Sequence, residues 1–192
     1  MSRRTKKQHT SADEVSLVID APADRLYDIV SDVSKMGRLS PECTGGKWLG
    51  GATGPAVGAR FKGHNRRGWA RWSTTNRVVA ANRGREFAFE TLQSGARWGY
   101  RFDPTGDATT VTESHEMFRR RPAIAWVYAT LMLGGAKEHD DEVKAGMRTS
   151  LERLKAVAET PEPVALTGRK RRKARKAAKA ERCAARTARR AA

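Results

Sequence analysis

The chain has 192 residues, two cysteines and a formal net charge of +17. That length supports one domain with a real core plus tails, and two cysteines exclude a disulfide framework. The charge is lopsided: residues 168–192 hold twelve Lys/Arg and one acid, residues 1–7 hold four bases and no acid, and the body between them is close to +2.

Cys43 and Cys183 have no neighbour at metal-ligand spacing, which suits a reducing cytosol. The basic start MSRRTKKQHTSADE leads into no apolar run, so a secretory signal is not expected. The longest apolar run, residues 123–136, falls short of the ~20 residues that cross a bilayer. A soluble, cytoplasmic protein is the expectation.

Residues 14–19 read as a short strand. Pro22 then opens a helix near its first position, where a missing N–H costs nothing, and Leu26, Ile29, Val30 and Val33 form its apolar stripe. Asp24 suits the positive end of that helix dipole. Residues 36–41 read as a second short helix or turn, halted by Pro41.

From Glu42 to Phe118 the apolar period becomes two. Trp48 precedes a Gly-rich hairpin loop, GGATGPAVG. Residues 60–65 place Phe61, Gly63 and Asn65 on one face, and residues 70–80 place Trp72, Thr74, Asn76 and Val78 together. Asn82-Arg83-Gly84 makes a turn. Phe87 and Phe89 alternate in the next strand, and Trp98, Tyr100 and Phe102 in the one after. Residues 104–106 are expected to turn the chain into a last strand, where Val111, Glu113, His115 and Met117 share a side. Such alternation means one covered and one wet face, as in an antiparallel meander.

Pro122 closes the sheet region, and an apolar helix is expected to reach Leu133, followed by Gly134-Gly135. Over residues 136–158 Val143, Met147, Leu151, Leu154 and Ala158 recur at helical spacing, with charged residues opposite. This is a long amphipathic helix laid on the sheet. The PEP of residues 161–163 ends it. The expected organisation is a basic, disordered N-terminus (1–12), one domain (13–160), then a linker and a disordered Ala/Lys/Arg-rich tail (161–192).

The order β-αα-β6-α resembles the helix-grip fold of the START/Bet v 1-like (SRPBCC) superfamily, and within it the polyketide cyclase/dehydrase and lipid-transport group. The resemblance is carried by VSLVIDAPADRLYDIVSDV, MGRLSPE, GARFKGHNRRG, RWSTTNRVV, FAFE, WGYRFDP, TTVTESHEM and GMRTSLERLKAVAE, in that order. It implies an α+β fold, a curved antiparallel sheet around a long C-terminal helix. It also implies a hydrophobic small molecule (lipid, quinone or polyketide-like) held between sheet and helix. Some such proteins are cyclases or hydrolases, so the fold sets a container and not a reaction.

The expected lining is Phe61, Asn65, Trp72, Phe87, Phe89, Trp98, Tyr100, Glu113 and His115 from the sheet, with Val143, Met147 and Leu151 from the helix. Each aromatic is equally readable as core. Glu113 and His115 share the inward face and are the candidate acid/base pair; the alternative is a hydrogen-bonded cluster that only shapes the pocket. No metal or other cofactor is expected. His9, His64, His115 and His139 lack ligand spacing, and GGATGPAVGAR lacks the Lys-Ser/Thr of a phosphate loop. Residues 168–192 suit a polyanion, nucleic acid or an anionic membrane surface, without sequence readout because no aromatic interrupts them.

Overall fold

The computed structural model describes residues 13–118 and 136–160, with the side chains of the second segment described from Val143 onward. The expected termini 1–12 and 161–192, and the expected apolar helix before Leu133, lie outside the described residues.

Seven strands form one antiparallel sheet in the order β1-β7-β6-β5-β4-β3-β2. They are β1 (Asp13–Ile19), β2 (Cys43–Leu49), β3 (Arg60–Arg67), β4 (Ala70–Asn82), β5 (Glu86–Thr91), β6 (Ala96–Thr105) and β7 (Ala108–Met117). Between β1 and β2 lie α1 (Ala23–Ser31) and a 3₁₀ helix, η1 (Val33–Arg38); α2 (Ala136–Glu159) closes the described chain. This is the α+β helix-grip arrangement, with strands consecutive from β2 to β7 and β1 added beside β7.

Local chemistry sets the boundaries. Pro22 stands at the N-cap of α1, one position earlier than its expected place. Asp32 caps η1 by accepting from the Ser34 N–H at 3.2 Å, supplying one of the partners that a helix start lacks. Gly37 is required because a β-carbon there would sit 2.5 Å from the Thr44 carbonyl oxygen, which pins η1 against β2.

Some expectations are corrected: Val33 stands in η1 and not in the stripe of α1, and the second helix spans Val33–Arg38 in place of residues 36–41. Strand β6 does not turn at Pro104 but runs on to Thr105, and the reversal comes at Gly106 and Asp107. Pro104 still pairs with Thr109 of β7. Its ring faces no loss on the other side, because β5 starts at Glu86 opposite Arg101 and does not reach it.

Helix α2 is tied to both sides of the grip. Lys144 pairs with Asp13 (2.9 Å), Lys155 donates to the Val18 carbonyl (3.3 Å), and the Asp20 N–H donates to Glu159 (3.0 Å), so α2 runs parallel to β1. Across from β1, Arg153 donates to the carbonyls of Leu39 (3.3 Å) and Ser40 (3.2 Å). The C-terminal half of α2 therefore lies over α1, and its N-terminal half over the end of the sheet where β1 begins. Leu151, Leu154 and Ala158 join Leu26, Tyr27, Val30, Phe87, Phe102 and Val111 in one buried cluster. Tyr27 meets Phe87 and Phe102 edge-on, each with ring centres 6.1 Å apart.

Candidate functional site

Register places the inward side chains in rows across the sheet. Leu17, Val111 and Phe102 form an apolar row near α1. The next holds Val15, Glu113, Tyr100 and Phe87, and the one after it His115, Trp98, Phe89 and Val78. Beyond these come Ala96, Thr91, Asn76, Phe61 and Trp48, and finally Trp72, Asn65 and Cys43. Polarity rises along this series, from the end sealed by α1 to the end where β1 begins.

Glu113 is the most constrained polar group. It is 2% exposed, and its Oε1 accepts from the Tyr100 hydroxyl at 2.8 Å. Its Oε2 is buried without a hydrogen-bond partner. Burial pushes its carboxyl up to about 8, against a smaller lowering by the Tyr100 hydrogen bond. The physical cause is the cost of holding a charge away from water. Near neutral pH the group is mostly a carboxylic acid, able to donate through one oxygen while the other is held. Tyr100 is held well above the ordinary phenol range, first by burial and then by Glu113.

His115 sits two residues on, with its ring 4.5 Å from that of Trp98 and tilted by 45°. A second polar string lies on β4 and β5: Thr91 Oγ1 donates to Asn76 Oδ1 (2.8 Å), and Asn76 Nδ2 donates to Thr74 Oγ1 (3.3 Å). Sequence reasoning put Thr74 and Asn76 on the face of Trp72 without making them site residues; their strand parity was the available signal. Gly63 belongs to the same place. A β-carbon there would lie 3.1 Å from Thr74 Oγ1 and 3.2 Å from Asn76 Nδ2, so its missing side chain keeps the space beside them clear.

The residues expected to line the hollow divide into two sets. Phe61, Phe87 and Phe89 are buried in a chain of ring contacts, with Phe61 against Trp48 (5.5 Å) and Phe89 (5.1 Å), and Phe89 against Phe87 (5.9 Å). Leu151 belongs to the same apolar cluster. Asn65, Trp72, Trp98 and Val143 are half-buried although the sheet residues among them face inward, so the concave face is open near them. Tyr100, Glu113, His115 and Met147 are buried between the two sets. His64 faces outward and contacts Ser73 (3.1 Å). Among the described residues no group of three or more His, Cys, Asp or Glu converges in a way that could hold a metal, and no helix is long and apolar enough to cross a membrane.

Known proteins share this architecture. A polyketide-cyclase-like protein of Corynebacterium glutamicum is 27% identical, with a TM-score of 0.52 over 79% of this chain and 91% of its own. The Zhui aromatase/cyclase of a Streptomyces species superposes with a TM-score of 0.60 at 16% identity, over 82% of this chain and 99% of its own. The di-domain ARO/CYC BexL gives a TM-score of 0.55 at 18% identity, over 76% of this chain and 45% of its own. At such identities the last two establish the fold alone. No curated protein matches significantly. The family model described as polyketide cyclase/dehydrase and lipid transport matches residues 13–159. With three quarters of its length matched, the chain belongs to the polyketide cyclase/dehydrase and lipid transport family.

Proposed function

We propose that the protein binds a hydrophobic small molecule carrying a polar oxygen, lodged between the sheet and α2 at the half-open end of the grip. The observation that carries this reading is the Glu113 carboxyl: it is buried and held by Tyr100, yet one of its oxygens has no partner. An unsatisfied buried polar atom costs about 1–3 kcal/mol, which a ligand hydroxyl or carbonyl would recover. Apolar contacts from Trp72, Trp98 and Met147 would hold the rest of the molecule, as in most small-molecule sites. Carriage or sensing is the preferred role, with the ligand a lipid, quinone or polyketide-like compound.

Native mass spectrometry of the purified chain tests this: a co-purifying apolar ligand, or uptake of a fluorescent fatty acid weakened in Trp72→Ala, is the expected result. A clean apo spectrum together with no uptake refutes it.

The same carboxyl favours a second reading, a cyclase or dehydratase. A carboxylic acid that ionises near pH 8 is matched to proton transfer at neutral pH, and His115 stands two residues away on the same strand face. In that role Glu113 would protonate a carbonyl or leaving hydroxyl of a bound polyketide, with Tyr100 fixing the carboxyl. Glu113→Gln and His115→Ala should then abolish turnover while leaving the fold and ligand binding in place; turnover that survives both removes this reading.

A further inference from the structure

Between Glu42 and Glu86 the chain has no acidic residue and nine Lys/Arg. The body as a whole is near neutral, so this stretch, which folds into β2, β3 and β4, is the positive pole of a polarised domain. On the outward face like charges stand directly opposite one another: Lys47 with Lys62, Arg60 with Arg77, and Arg66 with Arg71. Cross-strand pairs of like charge oppose pairing. Of these six, only Arg77 has an ion-pair partner among the described residues, Glu90 at 2.7 Å. Such a row is relieved by an external anion.

The β3–β4 hairpin carries this row past the end of β5, which stops at Thr91 opposite Asn76. At its tip, next to Gly68, stands Trp69, 82% exposed. Phe118, 38% exposed, lies at the same end of the sheet, where its N–H donates to the Gly95 carbonyl (3.0 Å). Behind the tip is an open cleft of about 470 Å³ lined by Thr44, His64, Asn65, Arg66, Arg71, Trp72 and Ser73. One exposed ring, Trp69, therefore leads, and the guanidinium groups of Arg66 and Arg71 follow directly behind.

We infer that this hairpin is a membrane-docking element: Trp69 enters the interface of an anionic phospholipid bilayer, and the cleft at Arg66 and Arg71 takes a lipid phosphate. The order of groups selects a bilayer over a nucleic acid. In a bilayer the phosphates lie above the acyl boundary, so a docking tip needs its ring ahead of its cations. A nucleic acid presents phosphates outermost and would be met by cations first. The half-open inner face at Asn65 and Trp72 belongs to the same hairpin, so docking would bring the mouth of the grip to the lipid surface. The inference goes beyond ligand binding and holds whether or not the hollow carries a ligand.

The full chain is tested on vesicles of phosphatidylcholine with and without phosphatidylglycerol, some containing brominated phosphatidylcholine. The charge of residues 168–192 would by itself attract anionic vesicles, so the decisive readout is insertion. Bromolipid should quench a part of the tryptophan emission that disappears in Trp69→Phe, and only when phosphatidylglycerol is present. Vesicle affinity should fall roughly thirtyfold in the double variant R66Q/R71Q, at ~1 kcal/mol per cation. These side chains are exposed, so unchanged thermal melts should confirm that both variants fold. Equal bromolipid quenching in wild type and Trp69→Phe, or unchanged vesicle affinity in R66Q/R71Q, overturns the inference. So does quenching of Trp69 by a single-stranded oligonucleotide when brominated lipid leaves it unaffected.

Discussion

The two ends of the grip are built from the same alternating strands yet behave as different materials. At one end α1, the C-terminal half of α2 and the rows of Phe102 and Phe87 interlock, with Phe102, Phe87 and Val111 fully buried. At the other, Asn65, Trp72 and Trp98 face inward but stay half-exposed, and the polar string Thr91–Asn76–Thr74 lies among them. Glu113 and Tyr100 mark the boundary. The contrast teaches that, among the described residues, the one long helix on the curved sheet packs solidly where α1 joins it and leaves working space where no second described helix does.

Truncation in the sealed half should have the largest effect. Phe87→Ala removes a fully buried ring in contact with Tyr27 and Phe89, and should cost about 3–5 kcal/mol in denaturant unfolding. Should Phe87→Ala cost no more than Trp72→Ala, the division into two halves fails.

Next comes the pH dependence set at the boundary. The folded state keeps a proton on Glu113 that the unfolded chain releases, because the carboxyl is raised from 4.5 to about 8. Stability from this group is therefore complete below about pH 4.5 and declines as pH rises towards 8, by at most ~1.4 kcal/mol per pH unit. Glu113→Gln should flatten that slope in denaturant titrations between pH 5 and 8. The opposite sign belongs to Asp28, Asp32 and Glu90, whose carboxyls are lowered; their contribution is present at neutral pH and lost on acidification below the ordinary carboxylate range. The two effects occupy separate windows, so a slope that persists in Glu113→Gln would show that another group is responsible.

Trp72→Ala should change stability by less than about 1 kcal/mol, since its ring is half-exposed, while weakening uptake of a fluorescent fatty acid severalfold. A large loss of stability there would make the open end a core after all. The smallest effect is expected at Arg83, which clips the β4–β5 turn to α1 through Asp28 (2.9 and 2.6 Å) and Asp24 (2.9 Å). All three side chains are exposed, so Arg83→Gln should shift the melting temperature slightly, and the shift should vanish in high salt.

Much of this was readable in advance where a local rule applied. Strand parity put Trp72, Trp98, Tyr100, Glu113 and His115 on one face, and helical spacing put Met147, Leu151, Leu154 and Ala158 against it. The turn expected over residues 104–106 begins only at Gly106, because a proline is tolerated where the neighbouring strand does not reach it and no local pattern shows where β5 begins. A hydrogen-bonded cluster at Glu113 was one expectation, but the choice of Tyr100 as its partner depended on register between β6 and β7. The row Trp72–Asn65–Cys43 and the space kept by Gly63 also needed register, since they join residues from three strands.

Period and spacing along the chain determined which side of each strand and helix is apolar, because those repeats follow from backbone geometry alone. Only the tertiary structure decided which inward groups are sealed and which stay open. That depends on how far α1 and α2 reach across the curved sheet, a distance that no local pattern encodes. The same is true of Glu113: its residue type was visible from the start, while its proton was decided by the apolar walls that folding raised around it.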